Sequence, residues 1–131
     1  MAASGAGALL PAAPAEVSRF FSDVSTALER HPALCGGPPG VGAAFLFRVR
    51  EPLLAWRIDL RSAPGSVRQV DGGAGAGADC DCVIEYRAAG DLAAINAGRL
   101  DLRKALILGR LKITGNLKAL QRFHESMVRG A

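Results

Sequence analysis

The sequence lacks an apolar run long enough to cross a membrane. Its longest uninterrupted apolar stretch, near Val41 to Phe47, is far shorter than the ~20 residues that a spanning helix needs. The first residues are small, but they lack the basic start and the solid hydrophobic run of a secretory signal. The last residues, MVRGA, match neither the Ser-Lys-Leu peroxisomal signal nor an endoplasmic reticulum retention signal. We therefore expect a soluble protein in the cytoplasm.

Cysteine is scarce, and the three present are an odd number for a disulfide framework. Cys80 and Cys82 are two residues apart, so on a strand their thiols would point to the same face. A zinc site needs a second pair of ligands, and Cys35, His31 and His124 lie at no matching spacing. We expect reduced thiols, no bound metal and no cofactor.

Catalytic and nucleic-acid signals are also missing. There is no GxSxG motif, and the acids Asp59, Glu85 and Glu125 are scattered over outward-facing positions, so we expect no catalytic residues and no enzyme. The glycine-rich run at 72–77 leads into a strand and not into a helix, which argues against a phosphate cradle. No exposed aromatic residue is interleaved with the cations on a strand face, so we expect no nucleic-acid partner.

What is present is the pattern of one α+β domain. The 131 residues fit a single core. Apolar residues recur at helical spacing between Ala15 and Arg30, namely Val17, Phe20, Phe21, Val24 and Leu28. Alternating apolar and polar residues then predict strands in the segments AAFLFRVR, LLAWRIDLR, SVRQV, DCVIEYR and RLKIT. The first two strands are joined by a short turn and are expected to form an antiparallel hairpin.

Helix signals return after Gly90. Asp91 and Asp101 are expected to cap two short helices, which end at Gly98 and Gly109. A final helix follows Gly115-Asn116, with an expected apolar face of Leu117, Leu120, Phe123 and Met127. We interpret residues 1–14 as a flexible N-terminal arm and residues 15–131 as the domain.

The segment from Gly98 to Asn116, GRLDLRKALILGRLKITGN, resembles the signature of the sterol carrier protein 2 family. Arg110 stands where that family usually has lysine, and Asp101 replaces a frequent asparagine or proline. The order of upstream elements is also similar, so the resemblance covers about Val17 to Val128. It implies a five-stranded, mostly antiparallel sheet covered by helices, with an apolar tunnel that binds fatty acids, fatty acyl-CoA or sterols.

A lipid site needs apolar side chains that are not fully used in packing one another. The terminal helix is the expected cover, since it can move away from the sheet. The lipid-binding candidates are apolar residues of the strands and the last helices: Phe45, Phe47, Trp56, Ile58, Leu106, Leu111, Ile113, Leu120, Phe123 and Met127. Residues of this kind are more often ordinary core residues, and a single sequence does not distinguish which of them contact a cavity.

Cations are concentrated late in the chain, where Asp101 is the single anion between Arg99 and Lys118. Five of them are candidates for contact with an anionic headgroup or membrane surface: Arg99, Arg103, Lys104, Arg110 and Lys112. The alternative is a solvated face of an amphipathic element.

The sequence therefore predicts non-catalytic binding and transfer of a lipid by a monomer or weak dimer. The alternative is a cavity-poor domain of the same fold that dimerises or docks a partner enzyme. A fold by itself does not decide between the two.

Overall fold

The computed structural model describes residues 12–37, 40–73 and 75–130, and of residues 127–130 it describes the backbone alone. The predicted N-terminal arm falls mostly on residues 1–11, which lie outside this description. The boundary of the domain at residue 15 stays a prediction, although the first helix begins there.

The helices and strands of the described residues follow one another in the predicted order. Helix α1 spans Ala15–Arg30 and is followed by a 3₁₀ turn at Pro32–Leu34. The strands are β1 (Ala44–Val49), β2 (Leu54–Asp59), β3 (Ser66–Val70), β4 (Cys82–Tyr86) and β5 (Leu111–Gly115). Helices α2 (Ala89–Asn96) and α3 (Leu102–Ile107) lie between β4 and β5, and α4 (Leu117–Gly130) follows β5.

The five strands form one sheet in the order β3-β2-β1-β4-β5. Three of the four neighbouring pairs are antiparallel, and β1 with β4 is the parallel pair. The predicted fold class, a mostly antiparallel five-stranded sheet covered by helices, is confirmed. The predicted β1–β2 hairpin is confirmed as well, with Phe47 opposite Trp56.

The residues predicted to face inward from β1 and β2 are buried. Side chains of one strand alternate between the two faces of a sheet, so the inward set lies on the helix-covered face. This set consists of Phe45, Phe47, Val49, Leu54, Trp56 and Ile58. Leu46 points to the opposite face and is nevertheless fully buried. The second face of the sheet is therefore covered too, which the alternation did not predict.

Residues 71–73 and 75–81 cover that second face. They connect β3, at one edge, to β4, on the far side of β1, so they must cross β2 and β1. Nη2 of Arg48 donates a hydrogen bond to the carbonyl of Gly73 (2.9 Å). Nη1 of Arg57 donates to the Asp79 carboxylate (2.7 Å). The glycine-rich run is therefore a cover for the sheet.

The ends of the short helices follow the predicted cap chemistry in part. The backbone N–H groups of Arg103 and Lys104 donate to the Asp101 carboxylate (3.1 and 3.3 Å), so Asp101 is an N-cap as expected. The expectation for Asp91 is wrong. Helix α2 begins at Ala89, two residues earlier, and the Asp91 carboxylate accepts a hydrogen bond from the backbone N–H of Ala88 (3.2 Å) from within its first turn.

The final helix begins where it was predicted. The side-chain oxygen of Asn116 accepts a hydrogen bond from the backbone N–H of Ala119 (3.1 Å), which caps α4. Leu120 and Phe123 are buried against the sheet, whereas Leu117, in the first turn of the helix, is half exposed. The side chain of Met127 lies outside the described residues.

Candidate functional site

A cavity of about 360 Å³ lies between the helix-covered face of the sheet and all four helices. Its lining consists mainly of apolar and aromatic side chains. The lining residues are Phe20, Phe47, Ile84, Tyr86, Leu92, Ile95, Asn96, Leu102, Leu120, Phe123 and His124. A concave apolar site with few polar groups is the usual form of a small-molecule site.

The sheet supplies one side of the cavity through neighbouring strands. Phe47 of β1 pairs with Ile84 of the parallel strand β4, and Tyr86 follows two residues later on the same face. The side-chain period of a strand therefore places Ile84 and Tyr86 beside the cavity, and it turns Glu85 towards the opposite face, where it forms an ion pair with Arg48 (3.6 Å).

The helices supply the other sides. Helix α2 contributes Leu92, Ile95 and Asn96, which are neighbours on one helix face because three- and four-residue spacings align along a helix. Helix α3 contributes Leu102, and α4 contributes Leu120, Phe123 and His124. Helix α1 adds Phe20. Each helix thus gives part of its apolar side to the cavity.

Aromatic packing explains why this space is bounded on the β2 side. The rings of Phe21 and Trp56 are stacked with centroids 4.4 Å apart. The ring of Phe123 lies 5.2 Å from that of Phe45 and 6.0 Å from that of Phe47. Such pairs gain energy beyond the area they bury. Trp56 and Phe45 are therefore used in packing α1 and α4 onto the sheet.

The ten predicted lipid-binding residues divide into groups. Phe47, Leu120 and Phe123 line the cavity. Phe45, Trp56, Ile58 and Leu111 are buried in the core and are not in the lining. Ile113 is half-buried and packs against the core, and Leu106 is 40% exposed. The tenth residue, Met127, has its side chain outside the described residues.

Eight lining residues were not predicted. Phe20 had a signal, because its helical spacing placed it on the apolar face of α1. Leu92 and Ile95 are three residues apart and belong to an alanine-rich helix, where the apolar stripe is hard to distinguish from its surroundings. The sequence around the remaining five residues does not mark them as lining residues. Ile84 and Tyr86, for example, have the pattern of any inward-facing strand residue. The other three are Asn96, Leu102 and His124.

Polar groups in the lining are few. Asn96 and His124 are exposed as residues, so they lie at the rim. Tyr86 is 6% exposed, and its burial raises the pKa of the phenol well above its usual range. Tyr86 is therefore a neutral hydroxyl at physiological pH.

The five predicted cationic residues differ in their exposure and in whether they form an ion pair. Arg99, Arg103, Lys104 and Lys112 are exposed. Nη1 of Arg110 lies 3.9 Å from the carboxylate of Asp91, a residue that is 7% exposed. Arg110 is therefore also involved in holding β5 against α2.

Exposed apolar residues follow Arg103 and Lys104 along the chain. Leu106 is 40% exposed, Ile107 is 83% exposed and Leu108 is 58% exposed. They form the end of α3 and the turn after it, and we call Leu106–Leu108 the apolar tip. Arg103 and Lys104 occupy the first turns of the same short helix, and Leu102 at its start lines the cavity.

The cysteines do not form a shared site. Cys82 is buried on the helix-covered face, whereas Cys80 precedes the strand and its Sγ accepts a hydrogen bond from Nη1 of Arg57 (3.3 Å). The expectation that both thiols face the same way is wrong. Within residues 12–37, 40–73 and 75–130, no cluster of three His, Cys, Asp or Glu residues is arranged to hold a metal ion.

None of the helices in the described part of the chain combines the length and the apolar character needed to cross a bilayer.

The fold and cavity define a small α+β domain with an apolar site between a sheet and its helices. The family model of the SCP-2 sterol transfer family matches residues 27–127. The chain belongs to this family. A comparison with curated protein sequences finds no match.

Solved structures with the same fold include three insect proteins. The sterol carrier protein domain 2 of Helicoverpa armigera is 19% identical, with a TM-score of 0.63 and 88% of each chain covered. Sterol carrier protein-2 like-3 from Aedes aegypti is 13% identical, with a TM-score of 0.60 and coverage of 84% of this chain and 97% of that one. The palmitated SCP2L2 from Aedes aegypti is 19% identical, with a TM-score of 0.52 and coverage of 80% and 90%.

Proposed function

We propose that this domain binds the hydrocarbon part of one lipid in the cavity and carries it between membranes without catalysing a reaction. The observation that carries the proposal is the apolar cavity between the sheet and the four helices. The candidate ligands are a fatty acid, a fatty acyl-CoA or a sterol. A relative of the same fold, SCP2L2 from Aedes aegypti, has been solved in a palmitated form.

The size of the cavity supports a small guest. Its volume of about 360 Å³ lies at the lower end of the range for small-molecule sites. Burying a tail of about sixteen carbons is worth at most ~13 kcal/mol at about 0.8 kcal/mol per methylene, and association costs several kcal/mol of this. We therefore expect dissociation constants on the order of micromolar to nanomolar, with tolerance for several lipids, because hydrophobic burial is not directional.

The terminal helix is the proposed cover. Helix α4 contributes Leu120, Phe123 and His124 to the lining, and it follows β5 after a single capping residue, Asn116. A rotation about this connection would widen the cavity without breaking the sheet. The predicted role of α4 as the element that admits the tail is retained in this proposal.

Transfer also requires contact with a membrane, and the region around the apolar tip suits an anionic one. Arg99, Arg103, Lys104 and Lys112 are exposed, and the nearby carboxylate of Asp101 already accepts two capping hydrogen bonds. Cations near a negatively charged bilayer each gain about 1 kcal/mol, and exposed apolar side chains gain by entering the interface. We propose that this surface docks on anionic membranes. Arg110 contributes less, because it faces Asp91.

The ligand part of the proposal is tested by filling the cavity. Ile95→Trp and, separately, Leu102→Trp add volume to the lining, and Ile107→Trp adds the same ring at an exposed position. Displacement of a fluorescent fatty acid, measured without vesicles, should show affinity at least roughly tenfold weaker for the two filled variants and unchanged for Ile107→Trp. Thermal unfolding checks that each variant is folded. Failure of the wild-type protein to take up the probe would overturn the proposal, as would wild-type affinity in both filled variants.

The membrane part is tested by co-sedimentation with vesicles that contain or lack phosphatidylserine. Arg103→Glu and Ile107→Ser should each reduce binding to the anionic vesicles at low salt. The matched control is Arg68→Glu, an exposed arginine on β3 at the opposite edge of the sheet from β5. Equal binding of all three variants and the wild type would contradict docking through the apolar tip.

A further inference from the structure

Tyr86 is the polar side chain of the lining that is most enclosed. Only 6% of Tyr86 is exposed, whereas Asn96 and His124, the other polar residues among the described lining residues, are exposed. Among the described residues the Tyr86 hydroxyl has no hydrogen-bond partner. Buried tyrosine hydroxyls normally find a partner, so this one needs an explanation.

The hydroxyl is in contact with open space. Among the described side chains that are not exposed, one polar atom is both fully enclosed by protein and without a hydrogen bond, and it is Nε of Arg48. The hydroxyl of Tyr86 has no hydrogen bond either, but it is not fully enclosed. It is therefore not sealed by its neighbours, and Tyr86 is one of the residues that line the cavity, so we infer that the hydroxyl is open to it. Its immediate partners on the sheet are apolar, since Val49 and Leu111 are the residues that pair with it.

An apolar ligand would make this arrangement unfavourable. A hydrocarbon that expels water from the cavity would leave the hydroxyl without any partner, and a buried polar group without a hydrogen bond weakens binding. A ligand oxygen at this position removes that loss. An uncharged oxygen suits this position, because the lining residues whose side chains the structure describes include no lysine or arginine to compensate a buried carboxylate, and His124 lies at the exposed rim.

We propose that the preferred ligand is a lipid with a neutral oxygen group, a hydroxyl or a ketone, on the portion that enters the cavity, and that the hydroxyl of Tyr86 hydrogen-bonds this oxygen. The inference rests on the proposed function, because it names the ligand class of the same cavity. It makes Tyr86 a specificity-determining residue. Any charged headgroup then remains at the rim, near Asn96 and His124.

The test uses an eighteen-carbon fatty acid and a series of its keto derivatives, with the carbonyl at successive carbons. Each competes with a fluorescent fatty acid for the wild type, for Tyr86→Phe and for Asn96→Leu. Tyr86→Phe removes the hydroxyl and keeps the ring. For at least one keto position, the affinity of the keto acid relative to the unsubstituted acid should fall roughly tenfold in Tyr86→Phe. The ratio should not change in Asn96→Leu.

The outcomes separate this inference from the proposed function. If no fatty acid displaces the probe from the wild type, the proposed function fails and the inference with it. If the unsubstituted acid binds but the ratio is the same in wild type and Tyr86→Phe at every carbonyl position, the inference alone is overturned. A change of ratio in Asn96→Leu without one in Tyr86→Phe also overturns it, because the oxygen would then lie at the rim.

Discussion

Leu46 and Phe47 are neighbours on β1, and they are covered in different ways. Phe47 is 3% exposed and faces the helices, where it lines the cavity. Leu46 is fully buried and faces the loop at residues 75–81, where a β-carbon added at Gly77 would lie 3.2 Å from its Cδ2. One side of the strand thus borders open space, and the other is closed against backbone.

The difference follows from the kind of chain that covers each face. Helices contact a sheet through side chains, so they stand away from it, and irregular side-chain lengths leave a space. A loop made largely of glycine and alanine approaches a strand at backbone distance and leaves none. Its arginine contacts at Gly73 and Asp79 hold it in place. The composition of the covering segment therefore decides which face is available to a ligand.

The largest effect is expected from Leu46→Ala. The substitution removes a fully buried side chain beneath the loop, so it should lower the free energy of unfolding by about 2 to 5 kcal/mol. The affinity for a fatty acid probe should stay the same, because Leu46 does not line the cavity. Chemical denaturation and probe titration measure the two quantities. A severalfold change in probe affinity in the folded variant would break the distinction between the faces.

A smaller loss is expected from Gly77→Ala. The new β-carbon would lie 2.6 Å from Cγ2 of Val83, so the loop or the strand must shift, at a cost of about 1 to 3 kcal/mol. Gly73→Ala is the matched control, since its nearest contact would be an ordinary 3.6 Å to the Asp71 side chain. Denaturation curves should separate the two variants. Equal stability of both would show that the loop does not lie close against β4.

The helix-covered face of the sheet could be predicted from the sequence, whereas the loop-covered face could not. The strands, α1 and α4 have strong local periodicity, so their positions and buried faces followed from spacing alone. The closure of the second face did not follow, because a glycine-rich run between two strands has no pattern that indicates what it covers. The alternation on β1 therefore does not identify Leu46 as a core residue.

The cavity lining was harder to predict than the core for a related reason. Trp56 and Phe47 have the same pattern on paired strands, yet Trp56 stacks on Phe21 and Phe47 borders the cavity. Which of two buried residues meets open space depends on how far each helix stands from the sheet, and that distance is set by contacts between distant segments. The spacing of apolar residues within one segment does not determine this distance.

The smallest effect is expected from loss of the ion pair that holds the loop. The hydrogen bond from Arg57 lowers the pKa of the Asp79 carboxyl below its usual value, which is about 3.9. A carboxyl with a lowered pKa in the folded state stabilises the fold above its unfolded pKa, and this contribution is lost as the pH falls through the folded pKa. Asp79→Asn should therefore lower the melting temperature slightly at pH 7.

The difference between Asp79→Asn and the wild type should start to shrink below the unfolded pKa of about 3.9 and vanish only once the pH has fallen through the lower folded pKa of Asp79, where the folded carboxyl becomes protonated. It should also shrink in high salt, because Asp79 is exposed and its charge is screened. The control is Asp23→Asn on α1, an exposed carboxylate without an ion pair among the described residues, which should follow the wild type throughout. Melting curves are measured from pH 7 down to the lowest pH at which the protein stays folded. A difference that does not decrease over this range would mean that Asp79 holds the loop through its shape and not through its charge, and the loop-covered face would then depend on packing alone.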